Sequence, residues 1–244
     1  KGTSAACDKK KLFTLKEQQW QGGGAPVVRS TYQLAGKPGF FFTSGMTIDA
    51  DGSYHAFHRI SKKGSDDLAN AGRPGNWWGL VTNTGEPEGK PVVQGPNDPA
   101  PGFYISQTGM EDTTKKETDP RRYVDAETIP YIVLSGTSAQ NPGATFGDYA
   151  VVFNNKNNKY AYAVYGDNWP TVKIGEGSVA LAKALDIPAN PRDGGVEDGI
   201  TYLVFPKSRT KPWRSEETID DIRAEAEKKF LAWGGIDQLM TCVK

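Results

Sequence analysis

Two acidic residues in the sequence sit where hydrolytic chemistry needs acids. Asp167 follows the hydrophobic run Tyr160–Tyr165, where the chain turns through Asn168-Trp169-Pro170. Glu176 stands between Gly175 and Gly177, immediately before Ser178, which can cap a helix. Cleaving a glycosidic bond takes one protonated carboxyl to supply the leaving oxygen and a second, ionised one to attack or to activate water. Flanking glycines let a backbone approach another chain or a ligand closely, which suits an acid on a cleft floor. The residues between the two acids can fold back and bring both to one rim, where like charges in a partly apolar site split their pKa values. On residue types alone a plainer reading stands level with this one. In it, Asp167 stabilises a turn and Glu176 caps a neighbouring element.

Other catalytic machinery is missing from the chain. There is no Gly-x-Ser-x-Gly elbow, phosphate-binding loop, His-Glu-x-x-His pair or cysteine cluster. His55 and His58 lie beside the turn Asp49-Ala50-Asp51-Gly52, but a zinc site needs three or four convergent ligands. These read as surface histidines. The Asp-x-Asp-Gly fragment lacks the later glutamate of a calcium loop and reads as a turn. No metal or other cofactor is expected. Trp77 and Trp78 lie in a Gly/Pro loop leading into a strand-like run. Sugars stack on aromatic rings while polar side chains read their hydroxyls. Adjacent strand residues face opposite ways, so one Trp belongs in the core and one at a cleft. Asn76, Tyr165 and Trp169 complete the aromatic and polar set expected to touch a substrate.

Lys plus Arg and Asp plus Glu each number 29, so the chain has no basic surplus to drive nucleic-acid binding. No apolar run approaches the ~20 residues of a membrane helix. The 28 Gly and 16 Pro are dispersed among aromatics and mark turns between short strands. Expected strands are 40–43, 79–82, 91–94, 103–106, 131–134, 149–153, 160–165 and 201–205, with a hairpin turn over 154–159. Helices are expected over 179–185, capped by Ser178, and after Ser215. The latter presents Ile219, Ile222, Ala226, Phe230 and Trp233 to the core and ends at Gly234-Gly235. Residues 1–26, basic and then Gly-rich, read as a terminal arm and linker, and 27–244 as a single catalytic domain. The fold class is β-rich, a small barrel of mostly antiparallel strands with a short helix after Glu176 and a C-terminal helix. The double-psi barrel is one analogue. Cys7 and Cys242 form one expected disulfide, worth roughly 5 kcal/mol in the chain-entropy model. The expectation is a secreted, monomeric protein whose signal peptide has been removed.

Five collinear blocks resemble the chitosanases of glycoside hydrolase family 75. They are Asp66–Trp78, Pro91–Pro96, Tyr123–Ala126 with Ile129–Leu134, Gly147–Asn154, and Lys173–Leu181 with its Ile-Gly-Glu-Gly-Ser core. The resemblance implies endo-hydrolysis of the β-1,4 links of chitosan by an inverting mechanism. It puts the family's two essential carboxylates on Asp167 and Glu176, with Glu176 as general acid and Asp167 as the base that activates water. Asp49 and Asp148 are candidates for holding the substrate's ammonium groups. The sequence departs from the family around Asp167, where Gly166 replaces an alanine and Asn168-Trp169-Pro170 a Gly-Pro-type turn; the departure falls on one substrate subsite. Two other readings remain beside it, a non-catalytic carbohydrate-binding barrel and a hydrolase of another β-glycan.

Overall fold

A computed structural model describes residues 7–17, 27–136, 141–169 and 174–243. Eight strands form one sheet: β1 (Lys9–Glu17), β2 (Val27–Leu34), β3 (Phe40–Asp49), β4 (Tyr131–Ser135), β5 (Tyr149–Asn154), β6 (Tyr160–Trp169), β7 (Glu176–Ser178) and β8 (Val196–Val204). Their order is β1-β2-β3-β7-β4-β6-β5-β8, and an added β3–β8 pairing closes the last six into a barrel. Closure removes the exposed edges that an open sheet of aromatic and β-branched strands would present. The barrel is mostly antiparallel, as expected. Its two parallel pairs, β3–β7 and β4–β6, set it apart from a simple meander.

Alternation along the strands builds two cores. Ala150 and Val152 of β5 pack in the cluster that includes Phe42, Met46 and Tyr202 together with Leu181 and Leu185. Val151 and Phe153 pack on the other side against Ile222, Phe230 and Trp233. Those last three belong to α2 (Ile219–Trp233), which is followed by α3 (Gly235–Val243); α1 (Val179–Ala184) follows β7 directly. Ser178 caps α1 as expected. The cap of α2 is Thr218 and not Ser215: Thr218 and Asp221 form a reciprocal capping box, while the Ser215 hydroxyl and amide are both spent on Asp112. Ile219, in the helix's first turn, is accordingly exposed rather than core-facing.

Two further differences follow from tertiary context. The expected strands at 79–82, 91–94 and 103–106 make only single bridges (Leu80–Ser106, Thr82–Pro91, Val93–Tyr104), because Gly and Pro cut each run before a ladder can grow. They belong to the long excursion between β3 and β4, which carries its own small cores around Phe57, Trp77 and Leu80 and around Val81, Ile105 and Tyr123. Second, part of the expected terminal arm is strand β1, paired along its length with β2. Its lysines obscured the pattern; lysine is a common guard on an edge strand. Cys7, just before β1, is disulfide-bonded to Cys242 in α3. No helix of the described residues is long and apolar enough to cross a membrane.

Candidate active site

Strand β7 delivers Glu176. It is wedged between β3 and β4, with Glu176 level with Thr47 on one side and Val133 on the other. Gly175 takes φ +88°, and a Cβ there would lie 2.6 Å from Ser44 Oγ; a Cβ at Gly177 would lie 2.7 Å from Leu181 Cδ2. The glycine pair is therefore what lets the acid's strand enter so narrow a slot. Ser178 locks the slot's far end. Its hydroxyl donates to the Ile129 carbonyl (2.9 Å) and accepts from the Tyr131 (3.0 Å) and Leu181 (3.2 Å) amides.

A bulge in β6 delivers Asp167. In the β4–β6 ladder Ile132 pairs with Tyr165 but Val133 pairs with Asp167, which leaves Gly166 as an extra residue. One added residue exchanges the two faces of everything beyond it. Without it Asp167 would point the same way as Tyr165, into the core; with it Asp167 shares the face of Val133. A Cβ at Gly166 would sit 2.6 Å from Tyr131 Cβ and Cγ, so the crossing has no room for a larger residue.

Val133 thus has Asp167 beside it on one neighbouring strand and Glu176 on the other. Paired residues project to the same side of a sheet, so both acids emerge on one face, their backbones two strand spacings apart, roughly 9–10 Å. Asp49, two residues beyond Thr47 on β3, projects to that face as well. Asp51 follows in the turn, where its carboxylate accepts from Ser106 Oγ (3.1 Å) and its amide donates to Asp49 Oδ1 (2.8 Å). These acids line a cleft of about 760 Å³ with Trp78, Trp169 and Arg192.

The cleft floor stores protons. Asp167 is pushed up to about 7, first by burial and then by the Glu176 charge, against two amides, Gly109 (2.9 Å) and Asn168 (2.8 Å), that both donate to its Oδ1. Burial also raises Asp49 well above the carboxylate range, helped by Glu176 and Asp167. Asp51 rises likewise, through burial and then Asp49. Glu176 Oε2 accepts the Trp169 indole N–H. Asp49, Asp51 and Asp167 each have a carboxylate oxygen within 4.8 Å of the others, the one group of three potential cation ligands among the described residues. Their raised pKa values mark a group that shares protons, and an acidic cluster alone does not define a metal site.

The comparison with protein families bears directly on this cleft. The model described as fungal chitosanase of glycosyl hydrolase group 75 matches residues 46–233. The chain belongs to this family. As a group 75 chitosanase it is a glycoside hydrolase, and chitosan is the polymer the family name assigns. The matched span opens in β3 and closes with α2, so it contains Asp49, Asp51, Asp167 and Glu176. No curated protein matches the chain.

Not every residue expected to touch substrate lies in the chitosanase's cleft. Trp78, half exposed, lines it, while Trp77 is buried in the excursion's core, the division that strand alternation predicts. Asn76 is exposed in the turn ahead of them, bonded through its backbone to Arg73, and is not among the cleft-lining residues. Tyr165 is a correction: on the core side of the Gly166 bulge, it is buried against Phe146. Asp148 is another. Fully buried outside the cleft, it accepts amide protons from Thr145, Lys207, Ser208 and Arg209 at 2.8–3.1 Å, clamping the segment after β8 to the turn before β5. Its oxygens are occupied by backbone and leave nothing for an ammonium group. His55 and His58 both pack edge-on against Phe103 outside the cleft; His58 is buried, not at the surface. Pro170, in the turn after Asp167, lies outside the described residues.

Asp51 was missed as a site residue. The available signal was two carboxylates at i and i+2 leaving a strand end, a pattern equally typical of turns.

Proposed function

We propose that this protein is an endo-acting, inverting chitosanase that cleaves β-1,4-glucosamine linkages with Asp167 and Glu176 as its two carboxyls. The supporting observation is their placement on one face, either side of Val133, in an open cleft. Inverting glycosidases keep their carboxyls about 6.5–9.5 Å apart to leave room for a water, and retaining enzymes keep them about 5–5.5 Å apart. Two strand spacings between the backbones favour the wider class. The acidic floor fits a substrate rich in ammonium groups, with Asp49 and Asp51 as their partners. Trp78 and Trp169 offer ring surfaces for the sugars. A carbohydrate-binding module would need the aromatics but not a group of carboxyls pushed towards neutral pKa. The polymer's size and the Cys7–Cys242 bridge favour action outside the cell, by a monomeric catalytic domain that includes strand β1.

In the primary reading Glu176 donates the proton and Asp167 activates water. Ammonium groups of a bound chain bring positive charge beside Asp167 and pull its raised pKa down, which readies it as a base. A second reading exchanges the roles. It is favoured by the proton that Asp167 holds to about 7 in the free protein and by the indole N–H donated to Glu176.

The test is reducing-end release from chitosan by wild type, Glu176→Gln and Asp167→Asn, with the product anomer followed by NMR. Each variant is expected to lose about 10²–10⁴-fold in rate, and wild type to yield the inverted anomer first. Unimpaired hydrolysis by either variant, or a retained anomer, would overturn the mechanism. An oligomer with a nitrophenyl leaving group separates the roles: the variant lacking the proton donor keeps activity on it, and the variant lacking the base does not.

A further inference from the structure

The catalytic cleft continues past Asp167. Gly109, whose amide holds that carboxyl, also lines a second depression of about 460 Å³ and is the one residue common to both. This groove lies between the 109–113 segment and residues 209–213, which follow β8. Phe146 stands where the two meet. A Cβ at Gly109 would collide with its ring, so the glycine is what lets Phe146 rest on the backbone that holds the acid. The ring also packs on Tyr165, 4.8 Å between centroids, and 39% of Phe146 still faces solvent. It is a braced, open aromatic surface beside the catalytic centre and outside its cleft.

The groove differs from the cleft in charge. Arg209 gives two bonds to Glu217 (2.9 and 2.7 Å), and Glu111 takes two from Arg122 (2.8 and 2.9 Å). These four charges cancel in pairs. Lys211, exposed at the rim, makes no ion pair among the described residues and is the groove's one uncompensated charge. Phe146 and the exposed Pro212 supply apolar surface between them.

A sugar ring lays its C–H face on an aromatic side chain and can leave its polar substituents in water. An apolar strip with its charges paired can therefore carry glucosamine units whose ammonium groups point to solvent. We infer that this groove is a distal subsite, in which Phe146 carries further units of the same chitosan chain that lies across Asp167 and Glu176, so that long chains are bound better than short ones. The occupant follows from continuity, because a polymer leaving the cleft over Gly109 enters the groove. The inference rests on the chitosanase reading and adds a binding site beyond its cleft.

The experiment measures kcat/KM on a glucosamine tetramer and octamer for wild type, Phe146→Ala and Lys211→Glu. Wild type should favour the octamer by more than its extra linkages explain. In F146A the octamer-to-tetramer ratio should fall about three- to tenfold, the worth of one aromatic contact. K211E exchanges the unpaired cation for a carboxylate that attracts ammonium groups. Its ratio should rise about two- to fivefold at low salt and return towards wild type as salt is added. Thermal melts establish that F146A is folded; K211E alters an exposed side chain and tests the groove independently. No octamer preference in wild type, equal losses on both lengths in F146A, or an unchanged or lowered ratio in K211E each overturns the inference and leaves the chitosanase intact. Failure of wild type to cut either oligomer overturns the chitosanase reading itself.

Discussion

Asp167→Asn should slow hydrolysis by about 10²–10⁴-fold and yet make the protein more stable at neutral and alkaline pH. Folded Asp167 keeps its proton up to about pH 7, whereas an unfolded chain releases it near its ordinary 3.8. Between those values the folded state binds more protons, so the residue's contribution to stability is full below about pH 4 and is lost as pH rises through 7. A shift from 3.8 to about 7 corresponds to about 4 kcal/mol at high pH. The carboxyl opens partly to the cleft and shares protons with Asp49 and Asp51, which reduces this to about 2 kcal/mol. Asparagine cannot ionise, and its side-chain oxygen can still accept the Gly109 and Asn168 amides that both donate to Oδ1. Melting temperatures of D167N and wild type should therefore coincide near pH 4 and separate by roughly 4–8 °C in favour of the variant above pH 8. A difference that does not change with pH, or one favouring wild type at pH 8, would refute the account of a buried carboxyl forced to ionise.

Three further outcomes follow from the architecture. Gly166→Ala drives a methyl group into the fully buried Tyr131; it should cost about 1–3 kcal/mol by denaturant melt and lower kcat about a hundredfold, because displacing the bulge displaces Asp167. Wild-type kcat in a folded G166A would show that the bulge does not aim the acid. Asp148→Ala strips four amides of their acceptor and should cost about 3 kcal/mol while leaving kcat per folded molecule unchanged; a selective rise in KM would restore Asp148 to the binding set. Cys7→Ser with Cys242→Ser should lower stability by up to about 5 kcal/mol without altering the cleft, as measured by melting under matched conditions; an unchanged melt would remove the bridge as a stabilising element.

Local patterns made parts of this site readable in advance. The Gly-Glu-Gly-Ser string carries its own explanation, since each glycine answers a specific close approach and the serine caps the helix that follows. The Trp77–Trp78 alternation was equally local. What stayed hidden depends on partners distant in sequence. Asp148 and Asp49 look alike as isolated acids, and only the segment 207–209 folding onto one of them makes it structural. Tyr165 and Asp167 are two apart and by simple alternation share a face; the bulge that separates them is visible only against β4. Ser215 had the composition of a cap but was already engaged by Asp112, which left Thr218 to do that work. Short runs in the excursion had strand composition without a ladder to join. Five of the six barrel strands were at least partly legible because Val, Ile, Tyr and Phe cluster in them; β7, three residues long and built on Gly-Ser, carries no such pattern.

The bond between Cys7 and Cys242 makes nearly the whole polypeptide a covalent ring. A single proteolytic cut in the loops of the 50–130 excursion opens that ring into a linear molecule and releases no fragment. Both new ends stay tethered to the barrel, at an effective concentration that favours their return to their packed positions. The molecule would survive a first nick as one intact particle, and only reduction or a second cut would let it come apart.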